Sequence, residues 1–336
     1  MTRAVAGAVA LAAALIPWQS TDLGPRFSDR SGPYLGEKPP GLTPAVFAPG
    51  LVSTGGFERD VAITPDGSEI VFGLAGPSYQ YTTVVSTRLI GGRWTEPEVV
   101  AGLDDPRYLH LEPALSADGN TMYVLSTRPD PAAGGTAGNQ DIWFLARAPG
   151  GWSAPRNLGP PVNSALPEYF PSLTRDGAIY FTREEAGSRV SAIWRARRSG
   201  NGYGAPEKLP SQVNSGRSQF NAFVAPDESY VIVPTDGRPD SIGGCDYYVV
   251  FRTSDDRWSE PINLGPAVNT KGSQEFSPYV SPDGKYFFFM SSRPAAPERL
   301  TFRLFRDLHG RPGNGNADIY WVDAAIIEDL RPGSKR

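Results

Sequence analysis

Ser281-Pro282-Asp283-Gly284-Lys285-Tyr286-Phe287-Phe288-Phe289 reads as a tight turn feeding a β-strand, and the chain contains five passages of this kind. The turn recurs as Pro65-Asp66-Gly67, Ala117-Asp118-Gly119, Arg175-Asp176-Gly177 and Pro226-Asp227-Glu228. Asp-Gly between apolar runs signals a hairpin, because Gly accepts the positive φ that a tight turn needs. The five Asp positions are spaced by 52, 58, 51 and 56 residues. Each turn precedes a β-rich run, from Glu69-Ile70-Val71-Phe72 in the first unit to Tyr286-Phe287-Phe288-Phe289 in the last.

Two further elements keep step with the turn. A third strand reads Asp141-Ile142-Trp143, Ala192-Ile193-Trp194, Asp246-Tyr247-Tyr248 and Asp318-Ile319-Tyr320, with Thr83-Val84-Val85 in the first unit. An aromatic-x-x-Pro element follows at Trp94, Trp152, Tyr203 and Trp258, and two copies run on into Leu-Gly-Pro-x-Val-Asn at Leu158 and Leu264. Four short strands per repeat of about 50 residues describe a propeller blade. The fifth repeat ends at Val322 without the outer element, whereas Pro44 and Phe47-Ala48-Pro49-Gly50-Leu51-Val52-Ser53 align without a gap to Pro155 and Leu158 to Ser164. The expected fold is therefore all-β, a five-bladed β-propeller whose ring is closed by an N-terminal strand completing the last blade. Closure of this kind removes exposed strand edges.

Residues 58 to 321 resemble the WD40-like β-propeller repeats of bacterial envelope proteins, the type found in the propeller of the Tol system. The matching residues are the Pro-Asp-Gly turns, Ser126-Thr127-Arg128, Ser291-Ser292-Arg293 and the Asp-Ile-Tyr or Asp-Ile-Trp strands. The resemblance implies the fold; the same fold hosts binding proteins, scaffolds and enzymes.

Arg3 followed by the apolar run Ala4 to Ile16 reads as an export signal over residues 1–20, too short to span a bilayer. Trp18 and Gln19 leave its cleavage position undefined, and an uncleaved N-terminal anchor is the alternative. The expected organisation continues with an irregular segment 21–40, a single propeller 41–325 and a tail 326–336. No further membrane span is expected once the signal is removed, and the chain is expected to be periplasmic or secreted and monomeric. With a net charge of −4 it offers no electrostatic case for nucleic acid. Cys245 is the single cysteine, so no intramolecular disulfide can form.

Counting back eight residues from each turn Asp gives Glu58, His110, Glu168, Gln219 and Glu275; counting back six gives Asp60, Glu112, Phe170, Asn221 and Ser277. Residues two apart share a face of a strand, so both rows are expected to stack at the mouth of the central channel. Arg128, Arg183, Arg238 and Arg293 lie near the end of the second strand, which returns to that mouth. The long loops Pro129 to Gln140, Asp236 to Gly244 and Pro294 to Ala317 open there too. Such a pocket is the default place for a ligand. The competing reading has the Arg and Glu residues pairing with one another, or with Asp141, Asp246 and Asp318, to hold the blades together.

Two functions fit. The first is a binding or scaffolding module of the cell envelope that takes an envelope protein, peptide or glycan at the mouth; no zinc, phosphate-loop or serine-hydrolase motif is present. The second is a carbohydrate-active enzyme, with two carboxylates of the mouth for glycoside hydrolysis or His110 and an Arg for uronate elimination. No cofactor is expected; Ca²⁺ held by Glu and Asp oxygens is a third possibility, without an Asp-rich loop behind it. A pair of unengaged carboxylates would favour the enzyme, and carboxylates tied to Arg or backbone amides would favour the binding module.

Overall fold

The computed structural model describes residues 25–130, 138–253, 255 and 257–334. The expected signal segment therefore lies outside the described residues, as do residues 131–137 of the second blade's long loop. No helix among the described residues is long and apolar enough to cross a membrane.

Five antiparallel blades form the propeller. In blade one, Phe57–Ile63 is innermost, followed outward by Glu69–Ala75, Thr82–Ile90 and Glu98–Val99. Blade two runs through His110–Leu115, Thr121–Ser126, Asp141–Ala148 and Arg156–Asn157, and blade three through Glu168–Leu173, Ile179–Glu184, Ser191–Ala196 and Glu207–Lys208. Blade four begins with two short pieces, Ser218–Gln219 and Phe223–Val224, before Tyr230–Asp236, Cys245–Phe251 and Ile262–Asn263. Blade five contains Glu275–Val280, Tyr286–Ser291 and Asp318–Asp323, and its outer strand is Ala45–Val46 from the N-terminal side.

The closing strand places Ala45 opposite Trp321 and Val46 opposite Tyr320. Phe47 N–H then donates to Ile319 at 2.8 Å, as Leu158 N–H does to Ile142 in blade two at 3.0 Å. The gap-free alignment, however, slips by one residue further on. Asn163 brackets Ile142, accepting from its N–H and donating to its carbonyl; around Ile319 that work is done by the Ser53 hydroxyl, at 3.1 Å both ways. Ser53 follows Phe47 by six positions and Asn163 follows Leu158 by five, so the closing segment contains one inserted residue.

The repeated turns follow from their side chains. Asp66 accepts from the Thr64 hydroxyl at 2.7 Å and the Ser68 amide at 3.0 Å, and Asp118 and Asp283 make the same pair of bonds. The next residue is left-handed, with φ of 71° at Gly67 and 72° at Gly284. Blade four puts Glu228 there, at φ 57°. Its buried carboxylate accepts from the Tyr180 hydroxyl at 2.8 Å and pairs with Arg195 and Arg252. The core is aromatic between and within blades: Tyr247 of blade four meets Phe287 of blade five edge-on at 5.7 Å, and Phe288 stacks on Trp321 within blade five at 5.8 Å. Such rings carry large apolar area into the core.

One feature of the inner strands shapes the channel. The ladder shifts register between Arg59 and Ala62, Leu111 and Ala114, Tyr169 and Ser172, and Phe276 and Tyr279. In blade four the strand is interrupted at the same place. The residue inside each break is left-handed: Asp60 (φ 58°), Glu112 (60°), Phe170 (51°), Asn221 (53°) and Ser277 (64°). A bulge inserts one residue and re-aims the side chains around it.

Candidate ligand site at the channel mouth

The bulges change which residues look into the channel. The rows eight and six before the turn Asp do not stack, because the extra residue lies at the second of them and breaks the two-residue alternation. The row between them, Arg59, Leu111, Tyr169, Phe220 and Phe276, was not anticipated, and four of its five members line the mouth. They enclose a depression of about 490 Å³, with Tyr169, Phe220 and Phe276 half-buried in the wall and Arg59, Glu112 and Asn221 below. A second space of about 210 Å³ lies along the channel, lined mainly by apolar residues such as Ile63, Pro113, Leu115, Pro171 and Val280. Asp60, Phe170 and Ser277 line that second space while Glu112 and Asn221 line the mouth, so the bulge residues form a belt dividing the channel.

The belt is one hydrogen-bonded network. Arg59 donates to Asp60 at 2.6 Å and to Glu112 at 3.0 Å, and its guanidinium lies 4.6 Å from the Phe276 ring centre. Ser277 bonds the other oxygen of Asp60. Glu112 also accepts from the Phe170 amide at 2.8 Å and the Asn221 side chain at 3.4 Å. All these groups except Phe276 are buried. Burial opposes the Arg59 charge, yet Asp60 and Glu112 beside it lift its pKa above the ordinary guanidinium value. Burial pushes Glu112 upward, Arg59 counteracts this, and Asp60 adds to the rise. Burial is the main reason Glu112 is driven toward its neutral form, and sharing one cation with Asp60 adds to it.

The row that begins the inner strands points elsewhere. Glu58 accepts from the Thr54 hydroxyl at 2.5 Å and the Thr54 amide at 3.2 Å. Glu168 accepts from the Ser164 hydroxyl and amide and from Arg183 at 2.7 Å. Glu275 is bonded by Thr270, Ser273 and Ser291. Each carboxylate thus fastens an inner strand to the segment that leads into it. Burial raises the Glu58 pKa to about 7, against the lowering effect of the Thr54 bonds. His110 and Gln219 take this place in blades two and four. Both ring nitrogens of His110 and the Gln219 side-chain nitrogen are buried without a hydrogen-bond partner among the described residues. Burial, with the charge of Arg128, holds the His110 pKa down to about 4, so the ring is neutral.

The Arg row forms a repeated clasp. Arg128 donates to the Gly102 carbonyl at 2.7 Å, Arg183 to Val162 at 2.8 Å, Arg238 to Ser215 at 3.5 Å and Arg293 to Ala267 at 3.2 Å. Each also lies over a third-strand aromatic ring, at 5.5 Å from Trp143, 4.8 Å from Trp194, 4.8 Å from Tyr248 and 4.7 Å from Tyr320. A planar fork suits both contacts. Among the described residues, no three His, Cys, Asp or Glu side chains are grouped to hold a metal ion.

No protein-family profile matches the chain, and no curated protein matches it in sequence. Solved structures similar to it include TolB from Acinetobacter baumannii, at 16% identity and a TM-score of 0.45 over 80% of this chain and 57% of that one. A thermostable family-43 glycoside hydrolase matches at 14% identity and 0.45, over 79% and 88% of the two chains. The periplasmic gluconolactonase PpgL of Pseudomonas aeruginosa matches at 16% identity and 0.40, over 69% and 64%. The chain therefore spans little more than half the length of the TolB it resembles. These likenesses are ones of fold.

Proposed function

We propose that the protein is an exported binding module that takes a peptide or glycan segment into the channel mouth. The observation that carries this reading is the engagement of the two carboxylates that line the mouth, Glu112 by Arg59 and Asp236 by Arg217, and of those around it. Glu58, Asp60, Glu112, Glu168 and Glu275 each accept bonds from hydroxyl, amide or guanidinium groups of the protein itself. Glycoside hydrolysis needs two carboxyl groups free to face one bond, and this arrangement uses its carboxylates to brace strands. What faces the solvent instead is a wall of Tyr169, Phe220 and Phe276 above Asn221 and Arg59. Flat rings around a few fixed polar groups suit a ligand with apolar faces and hydrogen-bonding edges. Arg3 and the apolar run to Ile16 support export.

The test is a thermal-shift screen against oligosaccharide and peptide panels, run on the wild type and on Phe220→Ala. A ligand of either panel should raise the wild-type midpoint and act more weakly on the variant. If neither panel moves the wild type, or the variant responds identically, the mouth is not the site.

A further inference from the structure

Blade five differs from the others in the connection between its second and third strands. In blades one, three and four that connection has six, six and eight residues; in blade five it runs from Ser292 to Ala317 and carries the helix Phe302–Leu308. The helix starts at Thr301, whose hydroxyl accepts from the Leu304 amide at 3.1 Å. Leu304, Asp307 and Leu308 are partly covered, one turn apart on one side, while Phe302, Phe305, Arg306 and His309 are exposed on the other. Asn314 and Asn316, beyond the helix, both donate to the Gly55 carbonyl, which docks the connection against the start of blade one.

The exposed side has an unusual composition. Phe302 is 81% exposed, Leu300 67% and Phe305 53%, so three of the large apolar side chains most open to solvent fall within six residues. Arg299, Arg303, Arg306 and Arg311 surround them against only Glu298 and Asp307, in a chain whose net charge is −4. Arg303 and Arg311 share Asp307, at 3.6 and 3.2 Å, and Arg299 and Arg306 have no acidic partner among the described residues. The local sign of charge is thus the reverse of the whole.

We propose that this segment docks the protein on an anionic phospholipid surface, with Phe302 and Phe305 entering the interface and the arginines pairing with head-group phosphates. The side chains stand exposed on this connection, so they suit a deformable medium that closes around a wedge. Aromatic residues partition to the boundary of a bilayer, and each basic residue near an anionic surface strengthens binding about fivefold. Docked this way, the loop-bearing face and the channel mouth face the lipid.

The experiment is co-sedimentation of the purified protein with vesicles of phosphatidylglycerol in phosphatidylcholine, and with phosphatidylcholine alone. The wild type should pellet with the anionic vesicles, weaken as salt is raised, and stay in solution with the neutral ones. Phe302→Ser with Phe305→Ser should lower partitioning at least about tenfold, and Arg303→Gln with Arg306→Gln should lower it without abolishing it. Both side-chain pairs are exposed, so the melting midpoint should hold; if the Phe pair alters it, Phe302→Ser alone serves as the second variant. Absence of wild-type pelleting overturns the proposal, as does equal pelleting of the Phe variants. A wild-type dimer that the Phe variants dissociate, without vesicle binding, would assign the face to a second copy of the chain and overturn it too.

Discussion

Arg59 of blade one reaches across the channel wall to Glu112 of blade two at 3.0 Å, both side chains being buried. The same guanidinium holds Asp60 at 2.6 Å, so one cation ties together the bulges of two adjacent blades. Removing it strands two buried acids, whereas removing Glu112 alone leaves Arg59 with Asp60. Arg59→Leu is expected to cost about 3–5 kcal/mol in denaturant unfolding. Glu112→Gln should cost less, and adding it to Arg59→Leu should recover part of the loss. Additive costs in the double variant would show that the pair is not coupled.

Glu58 and His110 occupy equivalent places in neighbouring blades and respond to pH in opposite senses. Glu58 is raised from 4.5 to about 7, so between those values the folded state binds more protons and stability falls as pH rises. His110 is lowered from 6.5 to about 4, so between those values the unfolded state binds more protons and stability falls as pH drops. Each shift corresponds to about 3 kcal/mol, and over pH 4.5–6.5 the two slopes oppose each other. The contribution of this pair to the wild-type profile is therefore nearly flat there. Relative to the wild type, Glu58→Gln should tilt the stability profile upward with pH through that window, and His110→Gln should tilt it downward. Parallel profiles for the two variants would refute the assignment.

The blades were legible because the turn chemistry is local: an Asp that caps its own turn, and a residue after it that must be left-handed, leave a mark in any sequence. The mouth was less legible. A period of two placed Glu58 beside Asp60 and passed over Arg59, but the bulge reverses that order and sends Arg59 and Phe276 into the channel. Nothing in a strand pattern announces a bulge whose left-handed residue is Asp, Glu, Phe, Asn or Ser rather than Gly. The polar rows themselves were visible, and so was the break in pattern at His110. Their partners were not, because Thr54 and Ser164 become meaningful only once each is seen four residues before a buried Glu.

The ring seam offers a test of closure. Ser53 makes both bonds to Ile319, and no carboxamide is present to replace it. Ser53→Ala leaves the buried Ile319 amide without an acceptor, while its carbonyl keeps the Phe47 N–H, and should cost about 1–3 kcal/mol. Ser53→Thr, which keeps the hydroxyl, should restore most of that in the same unfolding measurement. A neutral Ser53→Ala would mean that the seam draws its strength from the Ala45–Val46 pairing and Phe47 alone.

Glu228 sets two effects of known sign against each other. As the non-glycine residue at a turn position that is Gly in the other four blades, it carries a left-handed backbone cost of about 1–2 kcal/mol. Its carboxylate meanwhile serves Tyr180, Arg195 and Arg252, and the Arg195 side chain is only 7% exposed. Glu228→Gly relieves the strain but leaves a buried phenol and guanidinium short of an acceptor, a change of about 3–5 kcal/mol when a buried pair is broken. Arg195 retains Glu207 at 2.7 Å, which places the loss toward the lower end. The net expectation is a variant destabilised by about 1–3 kcal/mol. Tyr180→Phe should remove part of the penalty when combined with it, because one stranded donor disappears. A Glu228→Gly protein more stable than the wild type would show that backbone strain, not the ion cluster, dominates this turn.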